Sequence, residues 1–64
     1  MLYRKYSDIT SAEEMIERIR NGDISSRNTA YRELVVIAGE WDGTSVGREA
    51  EYLIDSMYSD LKYR

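Results

Sequence analysis

Leu34-Val35-Val36-Ile37-Ala38 is an unbroken run of five apolar residues at the middle of a 64-residue chain, and either a buried strand or a helix could contain it. Val and Ile are β-branched and suit a buried strand, and a short apolar run does not reveal its own period. The pattern, however, extends back through Ala30 and Tyr31 without a turn residue, which is a helix's length rather than a strand's. As one helix over about 26–39, the run continues two interlocked stripes: Ala30, Leu34, Ile37 and Trp41, with Tyr31, Val35 and Ala38 beside them. Val36 then falls outside the stripes, next to Arg32 and Glu33. So wide an apolar girdle needs cover on nearly every side. Two short flanking helices do not suffice for that, so a second copy or another protein is expected to supply the rest, with self-association as a dimer the subsidiary expectation.

Working outward towards the N-terminus, Ile9, Ala12, Met15, Ile16 and Ile19 keep helical spacing, and Asn21-Gly22 supplies the left-handed residue that stops a helix. Thr10 or Ser11, followed three residues later by Glu13 or Glu14, offers a capping box, with Ile9 as a staple in front of it. This predicts a first helix over about 11–21, preceded by a short arm over residues 1–8. Asp23, Ser25 and Ser26 are competent caps for the central helix.

Towards the C-terminus, Gly39 to Ser45 is dense in turn formers, with Asp42-Gly43 as the reversal point and Thr44 or Ser45 as the next cap. Val46, Ala50, Leu53, Met57 and Leu61 then repeat at helical spacing, predicting a third helix over about 45–62. The expected fold is all-α: one domain over residues 1–64, a small three-helix bundle. Met15, Met57, Tyr31 and Tyr58 are expected to pack in its core.

Composition excludes most chemistry. The chain has no cysteine and no histidine, which removes disulfides, thiolate metal sites, the commonest general base and the commonest activated nucleophile. The carboxylate pairs Glu13 with Glu17 and Glu51 with Asp55 lie opposite the apolar stripes, where nothing would separate their pKa values for acid–base work. Gly39, Gly43 and Gly47 do not make a phosphate loop: no lysine follows a glycine, and a turn plus an N-cap accounts for them. No enzyme activity, metal or cofactor is expected. The apolar runs fall far short of a membrane span, so a cytoplasmic, soluble protein is expected.

Charge is unevenly placed. Net charge is −3, yet four basic residues, Arg4, Lys5, Lys62 and Arg64, sit at the ends. Arg18 to Arg32 holds four arginines against Asp23, whereas Glu40 to Asp60 holds six acids against Arg48. Such a two-faced distribution steers partners and orients self-association.

Two sets of residues stand out as candidate sites. The first is the start of the central helix, where Arg27, Asn28, Thr29 and Arg32 occupy positions that acids usually prefer. The run from Ile24 to Leu34 resembles the turn and recognition helix of bacterial helix-turn-helix proteins, over eleven residues. In the same alignment Ile24 stands at the turn-glycine position and Arg20 where a small residue belongs. The resemblance implies that Arg27, Asn28, Thr29 and Arg32 face a DNA major groove and its phosphates. The second set is aromatic: six tyrosines and one tryptophan, with no phenylalanine, describe partly wet surfaces. Tyr52 and Tyr63 share a polar face of the third helix, and Tyr3, Tyr6 and Trp41 are either interface anchors or lids over the small core; Val36 joins them as an outward apolar residue.

The sequence therefore leads to the expectation of an acidic helical protein that binds another protein and regulates or inhibits it by covering a surface, the kind of compact product phages and mobile elements encode. A DNA-binding regulator using the start of the central helix is the alternative.

Overall fold

The computed structural model describes residues 5–62, the side chains of 60–62 excepted, and is all-α. Three helices follow in order: α1 Ile9–Arg20, α2 Arg27–Glu40 and α3 Ser45–Lys62. The central apolar run is helical throughout.

The starts of all three helices and the end of α1 have identifiable causes. Asp8, in extended backbone, caps α1 by accepting from the Thr10 amide at 3.2 Å, while its carbonyl takes the Ser11 amide at 3.0 Å. Helix α1 therefore starts two residues before the expected position. An Asp side chain caps at least as well as Thr, so Thr10 and Ser11 become first-turn residues and Ile9, 40% exposed, is no staple. At its far end the Asp23 amide reaches the Arg18 carbonyl and the Gly22 amide the Ile19 carbonyl, with Gly22 at φ 81°. That is a Schellman stop, and it needs the glycine. Ser26 caps α2 through the Thr29 amide at 3.2 Å. Between α2 and α3, Gly43 turns the chain at φ 83°, and the Thr44 hydroxyl accepts from the Gly47 amide while donating to the Trp41 carbonyl.

Helices α2 and α3 form an antiparallel hairpin, the most extensive pairing in the molecule, and α1 lies along it in the direction of α3. The core comprises Tyr6, Ala12, Ile16, Leu34, Ile37, Val46 and Ala50, with Met15, Ile19, Val36, Leu53, Ile54 and Met57 packed around it. Leu34 and Ile37, from the central run, are the largest side chains wholly removed from water. Ala12, Ala30 and Ala50 are the small residues that let the helices approach.

The roll of α2 differs from expectation. Ala30, Leu34 and Ile37 do face the core, but Tyr31 is 43% and Val35 45% exposed, while Val36 packs against the core cluster. Tyr58 on α3 is likewise outside the core, 64% exposed. The roll of α2 follows Lys5 and Tyr6, which bind along its Glu33–Glu40 edge and so turn Tyr31 and Val35 to the other.

Gly47 has a role that a turn or a cap does not explain. It is buried in the first turn of α3, where an added Cβ would overlap the Trp41 carbonyl oxygen and stand 2.8 Å from its carbon. Gly39, by contrast, lies inside α2 with open space beyond it. We expect Gly47→Ala to lower stability by about 2 kcal/mol or more through overpacking against rigid backbone, and Gly39→Ala to raise it by up to about 1 kcal/mol through helix propensity. Urea denaturation of the two variants checks both signs.

Candidate protein-docking face

One edge of α2 is occupied by polar chemistry. Glu33 and Glu40 stand seven residues apart, two helical turns, and so project from the same edge. Glu40 accepts from the Lys5 amide at 2.6 Å and the Tyr6 amide at 2.8 Å, one on each carboxylate oxygen. Glu33 accepts from the Lys5 ammonium at 2.7 Å and from the Tyr6 hydroxyl. The Trp41 indole N–H donates to the Tyr6 carbonyl at 2.9 Å. The arm is thus held at both backbone and side-chain level, and Tyr6 becomes part of the core.

This clasp shifts two titrations. Burial and the adjacent Glu33 and Glu40 carboxylates push the Tyr6 phenol well above its ordinary value, against a small opposing pull from Arg18. At Glu33, burial on its own would raise the pKa; the hydrogen bonds from Lys5 and Tyr6, with the Lys5 charge, outweigh it and hold the carboxyl below its usual value.

Among the described residues nothing comparable covers the opposite edge of α2, where Tyr31 and Val35 are exposed. Tyr31 and Val35 lie one helical turn apart on it, and helical spacing sets Ile54 and Tyr58 of α3 along the facing edge. At the end where α2 begins, Arg27, Asn28, Tyr31, Met57 and Tyr58 line a cleft of about 370 Å³. A neighbouring hollow of about 310 Å³, towards α1, shares Arg27 and Met57 as its wall. An apolar floor between two wet tyrosines, with a guanidinium and an amide at the rim, is suited to receiving a side chain from another protein.

The residues singled out from sequence fall in three places. Tyr6, Trp41 and Val36 are turned into the arm and core: Tyr6 is buried, and Trp41 and Val36 are half-buried against the cluster. Arg27, Asn28, Thr29 and Arg32 are all exposed at the start of α2, where the first two also line the cleft. Tyr52 is 69% exposed, but six residues of helix set it about 120° around α3 from Tyr58 and off the open face. Tyr3 and Tyr63 lie outside the described residues. The basic start of α2 does not set it apart from its neighbours, because none of the three helices has an acid in its first turn.

Sequence reasoning missed Tyr31, Val35 and Tyr58 as surface residues. The available signal was the use of tyrosine with no phenylalanine, since a phenol hydroxyl prefers a place near water. Among the described residues no group of three or more acids converges as a metal site, and no helix is long and apolar enough to cross a membrane. No protein-family model, curated protein or solved structure matches the chain.

The clasp makes stability depend on pH at both ends of the scale. Glu33 is more acidic folded than unfolded, so its contribution is complete above the ordinary carboxylate range near pH ~4 and drains away as pH falls through its lowered pKa. Tyr6 holds its proton more firmly folded than unfolded, so its contribution is complete below about pH 10 and is lost as pH rises beyond that. Thermal melts across pH should fall at both extremes; Glu33→Gln should flatten the acid limb and Tyr6→Phe the alkaline one.

Proposed function

We propose that this chain is a protein-binding regulator or inhibitor that acts by covering a surface of its partner, using the open face between α2 and α3. The observation that carries the reading is the pairing of Tyr31 and Tyr58, both exposed, across an apolar cleft floored by Met57. Tyrosine brings large contact area with little entropy to lose, which is why binding energy concentrates on such residues. The size and charge of the chain support the same role: a domain this small has little room for a buried catalytic cavity, and its surface is mostly acidic outside the α2 start.

A second reading, DNA binding through Arg27, Asn28, Thr29 and Arg32, is favoured by their shared exposure at the start of α2. Three features weigh against it. The connection from Asn21 to Ser26 is longer than a helix-turn-helix turn of three to four residues, Arg20 is engaged with Glu49 at 2.7 Å, and the net charge of −3 opposes approach to phosphates.

The two readings separate in one set of measurements. Recovery of a protein from the native host by the wild-type chain, lost with Tyr31→Ala combined with Tyr58→Ala and kept with Tyr52→Ala, is the expected result. Binding to mixed duplex that weakens steeply with salt and disappears in Arg27→Ala combined with Arg32→Ala would replace it with the DNA reading.

A further inference from the structure

The open face is complementary to itself. The Trp41 carbonyl abuts Gly47 at one end of the α2–α3 hairpin, and Tyr31 meets Met57 and Tyr58 at the other, so heights along the two antiparallel helices can be counted from the turn. At about 1.5 Å per residue, Arg32 stands about 13 Å from the Trp41 level and Asp55 about 12 Å from the Gly47 level. Val35 and Ile54 stand at about 9 and 10 Å, and Tyr31 and Tyr58 at about 15 and 16 Å. Val35 and Tyr31 on the α2 edge thus each have an apolar counterpart at about the same height on the α3 edge. The rims differ in sign at the heights that meet: exposed Arg32 borders the α2 side, and exposed Glu51 and Asp55 the α3 side, with exposed Arg48 lying apart from them at the turn end of α3.

We infer that a second copy of this chain covers the face, related by a two-fold axis parallel to the helices, so that α2 of each copy lies on α3 of the other. This operation keeps every residue at its height and exchanges the two edges. Val35 then meets Ile54, Tyr31 meets Tyr58, and Arg32 meets Asp55, each pair formed twice. The other two-fold arrangement, with its axis across the helices, stacks α2 on α2 and sets basic rim against basic rim and acidic against acidic. Charge therefore selects the first. The inference rests on the reading of this face as a docking surface and names its resting occupant, which any foreign partner must displace.

Sedimentation over the micromolar range tests it. The wild-type chain should shift with concentration from 7.5 kDa towards twice that mass. Arg32→Asp alone and Asp55→Arg alone should each weaken the dimer about tenfold or more, because two attractive pairs become repulsive. Both side chains are exposed, so helicity by circular dichroism should be unchanged. An equimolar mixture of the two variants restores both pairs in a heterodimer and should recover the wild-type association. Val35→Asp should abolish it. A 7.5 kDa species at every concentration overturns the inference, as does a dimer indifferent to the reversals or a mixture that fails to recover. A monomer that still captures a foreign protein through Tyr31 and Tyr58 would overturn the dimer alone and leave the docking surface standing.

Discussion

The clasp between the N-terminal arm and the two glutamates of α2 is the constraint on which the rest of the arrangement depends. Helix α2 carries more apolar surface than α1 and α3 can cover, so a further segment must close one of its edges. That segment is Lys5-Tyr6, and it is recruited by hydrogen bonds rather than by hydrophobicity alone. Its weight does not lie in the Lys5–Glu33 ion pair as such, because the Lys5 side chain is half exposed and such pairs contribute about 0–1 kcal/mol. It lies in the half-buried Glu33 carboxylate: each donor taken away leaves a partly desolvated charge short of a partner, at about 1 kcal/mol.

Trp41 joins this clasp to the rest of the bundle. Its indole holds the arm, its amide closes the last turn of α2 on the Ile37 carbonyl, and its own carbonyl receives Thr44 and lies against Gly47. One residue therefore links the arm, the end of α2 and the start of α3. A domain of 64 residues has few layers of packing with which to fix its helices, and concentrating three junctions at one residue compensates for that.

What was legible in the sequence follows from the range of the interactions involved. Helical spacing is local, so the three helices, the Asn21-Gly22 stop, the Asp42-Gly43 reversal and the buried stripe of Ala30, Leu34 and Ile37 could all be read directly. The start of α1 was a competition between neighbouring caps, and Asp8 won it two residues early. Which edge of α2 would be covered could not be read, because the bonds that decide it join residues 27 to 35 positions apart. Periodicity describes a helix against its own axis and says nothing of a segment arriving from elsewhere in the chain. The exposure of Tyr31 and Val35, and with it the candidate face, was hidden for the same reason. Sequence alone places Gly47 in a turn, because its true constraint, a carbonyl six residues earlier, exists only once α3 is folded back.

The roll of α2 shows how polar groups can settle what hydrophobicity leaves undecided. Turning the helix about its axis in one direction buries Tyr31 and Val35 and exposes Val36; turning it in the other does the reverse. The apolar area removed from water favours the first, since a tyrosine and a valine outweigh a single valine by roughly a buried aromatic's worth, about 2 kcal/mol. The structure takes the second. The difference is supplied by Glu33 and Glu40, which receive four hydrogen bonds from the arm, and by Tyr6, whose ring enters the core that Tyr31 leaves. The two part-buried bonds from Tyr6, its amide to Glu40 and its hydroxyl to Glu33, go to ionised groups and contribute about 1.5–3 kcal/mol each, enough to reverse the preference. Tyr31 is then turned to the surface, while another tyrosine, Tyr6, joins the core along the opposite edge of the helix.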